Sequence, residues 1–263
     1  MKKNICIAFT IFFFSFLSNA AEQKSITIIA DEWCPYNCTP ETEDEGYVLE
    51  IAREVFSVHG IEVTYKILNW NRALKEVRKG TYNAAIAASK EEAKNFIFPE
   101  EPIGISSYSF YGKTGMNWKY KGIKSLKGKT LGSIDGYKYF TAIDDYIKHN
   151  RSNNLKVQVL SDADALGTSL KKLAAGRIDL FIEQYAVANY TIKKMQLEDK
   201  ISAIDRATYK FEPEKHKFYL AFSPSDPNSK KYAKIFDNGI KDLRESGRLL
   251  QILNKYNLND WVY

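Results

Sequence analysis

Leu74-Lys75-Glu76-Val77-Arg78-Lys79-Gly80-Thr81-Tyr82-Asn83-Ala84-Ala85-Ile86 and Leu170-Lys171-Lys172-Leu173-Ala174-Ala175-Gly176-Arg177-Ile178-Asp179-Leu180-Phe181-Ile182 carry one local plan twice. Seven of the 13 positions agree in kind: Leu, Lys, a charged residue, Val or Leu, Gly, Asn or Asp, and Ile recur at the same offsets without a gap. In each copy a helix runs to a glycine, which takes positive φ without the Cβ clash other residues meet. A turn follows, and then an apolar run reads as a parallel strand buried on both faces. One such unit occurs in most α/β folds, but two copies 96 residues apart predict two similar α/β lobes.

Working outward, Ser25 to Ala30 is an apolar, β-branched run that reads as a strand ending at Asp31. Tyr47 to Val58 has the spacing of an amphipathic helix, stopped by His59-Gly60 and followed by a strand from Ile61 to Ile67. Arg72 to Lys79 reads as the helix of the first copy, and Asn83 to Ala88 as its strand. The second lobe opens with a turn at Ser125 to Lys129, a strand from Thr130 to Ile134, and a helix from Asp135-Gly136-Tyr137 to about Lys148. Strands are expected at Val157 to Leu160 and at Lys217 to Ser223. Two helices, at about Lys230 to Ser246 and Leu249 to Tyr256, are separated by Gly247.

Residues 1–20 read as a secretory signal peptide cut after Ala20: Lys2 and Lys3 begin it, Ile5 to Leu17 is its apolar stretch, and Ser18 and Ala20 are the small residues before the cut. Thirteen residues fall short of the about 20 that cross a hydrocarbon core, so this reading predicts export to the periplasm and no membrane span. At 44% hydrophobic and 27% charged the remainder is an ordinary globular chain. Its basic residues are dispersed among acids instead of forming a stripe, which argues against a nucleic-acid partner. Of three cysteines, Cys6 leaves with the leader. Cys34 and Cys38 then have an oxidising compartment and each other, and a local disulfide is the expectation. The competing reading is a redox centre after a strand, against which the extra residue Asn37 counts, since thiols on one helical turn need a two-residue spacing. Two thiolates and three scattered histidines offer no metal-ligand spacing, and nothing in the chain calls for a cofactor.

The chain resembles the family 3 bacterial extracellular solute-binding proteins, two-lobed periplasmic proteins that deliver polar amino acids to ABC transporters. The resemblance covers nearly all of the mature chain. In the first lobe it rests on the strand ending at Asp31, on Gly46-Tyr47-Val48-Leu49-Glu50-Ile51-Ala52, on Trp70 before a helix, and on Gly80 with its strand. In the second it rests on Leu126-Lys127-Gly128-Lys129, Gly176-Arg177-Ile178-Asp179 and Leu243-Arg244-Glu245-Ser246-Gly247. It implies an α/β, periplasmic-binding-protein-like type II fold: lobe 1 from 22–105 and 216–263, lobe 2 from 106–215, a two-strand hinge, and a ligand cleft between the lobes. It also implies a monomer, a small polar ligand and an ABC permease as partner.

Carried over residue by residue, the resemblance makes Trp33 and Trp70 an aromatic clamp, with packing at the cleft rim as the structural alternative. It sets Asp31 where an amine is often met, Ser89 where the ligand is hydrogen-bonded, and Tyr137 at the start of a helix whose amides hold an anion. Two positions depart from the pattern. Glu92 stands where amino-acid binders carry the arginine that clasps the α-carboxylate, and Gln184, next to Glu183, stands where an acid pairs with the ammonium. A carboxylate repels the group that arginine would bind, so the expected ligand is not a standard α-amino acid held in the usual way, unless Arg72 compensates. Two further functions stay open: an enzyme on the same scaffold, such as a cyclohexadienyl dehydratase using Glu92 or Glu183 as general acid or base, and a sensory module for a membrane partner. No serine or cysteine nucleophile motif and no phosphate-binding glycine loop is present.

Overall fold

The computed structural model describes residues 24–105, 107–162, 164–206 and 216–261. The leader reading, residues 1–20, and the last part of the sequence-based second lobe, 207–215, lie outside these residues. The first half runs β1 (Lys24–Ala30), α1 (Tyr47–Ser57), β2 (Ile61–Ile67), α2 (Trp70–Arg78), β3 (Ala84–Ala88) and β4 (Gly104–Ile105). The middle runs β5 (Tyr108–Lys113), a 3-10 turn at Ile123–Leu126, β6 (Leu131–Ile134), α3 (Thr141–Asn150), β7 (Val157–Leu160), α4 (Ala165–Ala174), β8 (Leu180–Gln184), α5 (Tyr185–Lys194) and β9 (Ile201–Arg206). β10 (Lys217–Phe222), α6 (Ser229–Glu245) and α7 (Arg248–Lys255) complete the described chain.

Two five-stranded sheets result, ordered β2-β1-β3-β10-β4 and β7-β6-β8-β5-β9. β1 lies parallel to β2 and β3, and β6 parallel to β7 and β8. The strand that first follows each passage between the sheets, β5 or β10, pairs antiparallel with the central strand β8 or β3. The two sheets therefore share one topology, and the two copies of the repeated stretch supply their central strands. Gly80 and Gly176, with φ of 83° and 71°, make the left-handed turns that the repeat calls for.

Side-chain caps fix the starts of α2, α4 and α5. Asn69 accepts a hydrogen bond from the Arg72 amide at 3.0 Å, so α2 starts at Trp70, two residues before the sequence-based start. Gln184 caps α5 directly at the end of β8, accepting from Val187 N at 2.9 Å. The sequence reading places α3 too early: Gly136 has φ of 84°, Asp135-Gly136-Tyr137 is a turn, and the helix begins at Thr141. Tyr137 thus stands on the β6–α3 loop and does not open the helix. α1 buries Tyr47, Val48, Leu49, Ile51, Ala52, Val55 and Phe56 against the first sheet and α6, as its apolar spacing predicts.

Candidate functional site

The ends of β1, β3, β6 and β8 converge between the sheets, and the lobes are drawn together there. The loop after β1 is folded tightly: Trp33 N donates to Asn37 O at 2.8 Å, Tyr36 N to Trp33 O at 3.0 Å, and a disulfide joins Cys34 to Cys38. Asn37 is fully buried and donates to Asp31 O at 2.5 Å and Tyr65 Oη at 2.9 Å. This turn presents Trp33 and Tyr36, stacked at 4.5 Å, to the other lobe. Trp33 Nε1 donates to Glu183 Oε1 at 3.3 Å, and Gln184 Nε2 donates to Tyr36 Oη at 3.0 Å. Tyr137 Oη donates to Asp31 Oδ2 at 2.6 Å, and Asn71 Nδ2 to Asp135 Oδ2 at 2.8 Å. An ion pair between Lys194 and Glu32 at 3.5 Å closes the same seam at its edge.

Two cavities lie in this cleft. The inner one, about 20 Å³, is walled by Trp33, Trp70, Tyr108, Tyr137 and Phe218, and its polar lining comes from Asp31, Asn37 and Glu92. The outer one, about 700 Å³, shares Asp31, Trp70 and Tyr137 with it. It extends toward the start of α4 and toward α5, where Asp162, Leu166 and Lys194 line it.

Three carboxylates define the electrostatics. Glu92 Oε2 accepts from Ser89 N at 3.1 Å and from Ser89 Oγ at 2.7 Å, and Oε1 accepts from Trp70 Nε1 at 3.4 Å. The Glu92 amide in turn donates to Ser89 Oγ at 3.2 Å, a reciprocal capping box that fixes the turn after β3. Burial outweighs these bonds and pushes the Glu92 carboxyl up to about 7. Asp31, whose remaining exposed surface faces the cavities, is raised to about 6 by burial despite the Tyr137 hydroxyl. Glu183 is fully buried behind Trp33 and is raised to about 8 by burial, opposed by its bonds from Gln184 N and Trp33 Nε1. None of the three forms an ion pair among the described residues, and no Lys or Arg lines the inner pocket.

A family description, bacterial extracellular solute-binding proteins, family 3, matches residues 26–259. The chain belongs to that family. No curated protein matches this solute-binding chain in sequence. Among solved structures, one from work on glutathione import via GshT and the cystine ABC importer TcyBC of Streptococcus mutans superposes with a TM-score of 0.71 at 20% identity, covering 89% of this chain and 95% of that one. The amino acid ABC transporter substrate-binding protein AbpA of Streptococcus pneumoniae, bound to L-arginine, gives 0.68 at 18% identity over 88% and 94%. A histidine kinase sensor domain similar to periplasmic binding proteins gives 0.69 at 17% identity over 89% and 97%. At these identities the likeness shows the type II fold and no more.

In this solute-binding protein the residues singled out from sequence divide into groups. Asp31, Trp33, Trp70, Glu92 and Tyr137 line the inner pocket together. Ser89 is the partner of Glu92 and lines neither cavity. Glu183 backs Trp33 from the second lobe. Gln184 spends its side chain on capping α5 and on Tyr36. Arg72 is exposed on α2 and lines neither cavity, so it does not stand where a carboxylate in the pocket would need it. Sequence reasoning missed Tyr108, Phe218 and Asn37. Tyr108 begins β5, a strand the sequence reading does not name; Phe218 lies within the strand expected at 217–223, and Asn37 was read only as a spacer between cysteines. Among the described residues no group of three or more His, Cys, Asp or Glu is placed to hold a metal, and no helix is long and apolar enough to cross a membrane.

Proposed function

We propose that this protein captures a small polar solute bearing a cationic amine and no adjacent carboxylate, and hands it to an ABC importer in the periplasm without chemically altering it. The observation that carries the reading is the inner pocket: aromatic faces and carboxylates line it, with no Lys or Arg among its described lining residues. Aromatic rings attract an organic cation through their quadrupole, and a desolvated carboxylate gains most from an ammonium partner. An α-carboxylate would meet Glu92 and Asp31 without a compensating base, which disfavours an ordinary α-amino acid. Family membership supports the transport role, since a cleft that closes on its solute offers a permease a distinct shape to recognise.

Isothermal titration of the mature protein with alkyl amines and with the twenty amino acids tests this. Binding of amines, lost on Asp31→Asn or Trp70→Ala, is the expected result. Micromolar binding of several neutral amino acids with no amine binding would sink the proposal.

A further inference from the structure

The inner pocket has room for one cationic head and little else. At about 20 Å³ it sits at the size of one or two water molecules. Asp31, Trp70 and Tyr137 line both this pocket and the outer chamber of about 700 Å³, so a chain attached to that head can run along this shared wall into the chamber. Of the donors at the head site, Trp33 Nε1, Trp70 Nε1, Tyr137 Oη and Asn37 Nδ2 are already spent on Glu183, Glu92, Asp31 and the Asp31 carbonyl with Tyr65. Asn37 adds to the carboxylates an Oδ1 that is buried and has no donor among the described residues, so a donor on the solute completes it.

The outer chamber carries acids in excess. Besides Asp31 it is lined by Glu32, Asp135, Asp162 and Asp164, against Lys171 and Lys194. Local pairing removes most of these. Lys171 pairs with Asp164 at 3.6 Å, Lys194 with Glu32 at 3.5 Å, and Arg151, outside the lining, with Asp135 at 2.6 Å. Asp162 has no cation partner among the described residues; its Oδ1 accepts the Asp164 amide at 3.1 Å. The chamber therefore adds, at its exposed side, one more carboxylate without a counter-charge among the described residues. Both lysines are already held by acids, so an anionic tail would have to break an ion pair to be met.

From this we infer that the solute is elongated and carries two cationic centres, a linear diamine or polyamine, with one ammonium among the aromatic rings beside Asp31 and Glu92 and a second at Asp162 in the outer chamber. This rests on the amine-binding reading above. The expected gain from the second centre is about tenfold, the worth of a charge-assisted hydrogen bond in a partly enclosed site.

Titration of the mature protein with n-pentylamine, 1,5-diaminopentane and 5-aminopentanoic acid separates the possibilities. The diamine should bind about tenfold tighter than the monoamine. Asp162→Asn, an exposed position whose replacement leaves the fold intact, should reduce that advantage to about threefold or less and leave the monoamine unchanged. Equal affinity for monoamine and diamine, or a diamine preference that survives Asp162→Asn, overturns the inference while leaving the amine reading standing. Tightest binding of the amino acid overturns it in favour of an anionic tail at the lysines. Failure of all three amines to bind overturns the amine reading itself.

Discussion

Lowering the pH from 9 to 6 should weaken the binding of a simple alkyl amine by about 20-fold. The site binds a cation only with its carboxylates ionised, and two of them face the pocket: Glu92, titrating at about 7, and Asp31, at about 6. The sign follows from the direction of both shifts. A raised carboxylate holds its proton up to a higher pH, so the anion available to the ligand is lost as pH falls through the raised value, not through the ordinary one near 4. At pH 6 a group titrating at 7 is about one-tenth ionised and one titrating at 6 about one-half, whose product gives the roughly 20-fold loss. If Glu183, at about 8, must also ionise, a further factor of about 100 is added. An alkyl amine stays protonated across this range, having a pKa of about 10, so the ligand contributes little of its own. Calorimetry in two buffers of different ionisation enthalpy measures both the affinity and the protons released on binding. At pH 7 about half a proton should be released from Glu92, and about one more if Glu183 takes part. Glu92→Gln should remove the step near pH 7. Affinity constant within about twofold from pH 6 to 9, or proton uptake in place of release, would refute the reasoning.

Closure of the cleft makes further outcomes measurable. A Cβ at Gly136 would lie 2.3 Å from Asn71 Oδ1 of the opposite lobe, so Gly136→Ala should swing the exposed Asn71 side chain away from Asp135, strain the positive-φ turn and weaken ligand binding by a few-fold in calorimetry; pairing it with Asn71→Ala removes the clash and leaves the cost of the positive φ. At Gly46, φ of 101° and a Cβ position 2.5 Å from Tyr36 O predict that Gly46→Ala destabilises the fold by about 2–4 kcal/mol, read as a lower midpoint in chemical denaturation. Replacing Cys34 and Cys38 together by serine should cost little stability, because the loop they close is short, yet reduce amine affinity, because that loop carries Trp33, Tyr36 and Asn37. Equal affinity of the Cys34→Ser/Cys38→Ser protein and the parent would show that hydrogen bonding alone holds the turn.

The fold was legible where the sequence obeys a period. The repeated helix-Gly-strand stretch becomes the central strand of each sheet, and β2 and β7 have the bounds that alternation and branching predict. α3 was misplaced because Gly136 and Tyr137 look like the opening of a helix, while the φ of Gly136 turns the chain away from one. α5 escaped notice because it follows β8 without a loop, its cap being the last strand residue. The family resemblance, not local pattern, pointed to Trp33, Trp70 and Asp31, and the structure sets all three on the wall of one pocket. Local pattern could not find Phe218 or Tyr108, whose place in the pocket depends on which strand lies beside which. Nor could it decide what Glu92 does. Its exchange of bonds with Ser89 requires the chain to turn back on itself after β3, and that turn is set by the packing of Ala93 and Phe96.

That turn also shows why a carboxylate is tolerable where the family resemblance implies an arginine. Glu92 is anchored by the Ser89 amide and hydroxyl and by the Trp70 indole, so its oxygens are solvated by fixed donors before any ligand arrives. These donors are too few to offset burial, which is why the carboxyl remains raised. Closing the lobes on Asp31, Glu92 and Glu183 removes water from three acids at once, and without a cation the cleft can do so only by keeping protons on them. The open form, in which water returns, is therefore favoured as pH rises through 6 to 8, and a cationic solute is what allows closure with the acids ionised. Ligand choice and lobe closure are then one electrostatic event. A solute that brings no positive charge gives the three acids no counter-ion, and the closed cleft must still keep protons on them.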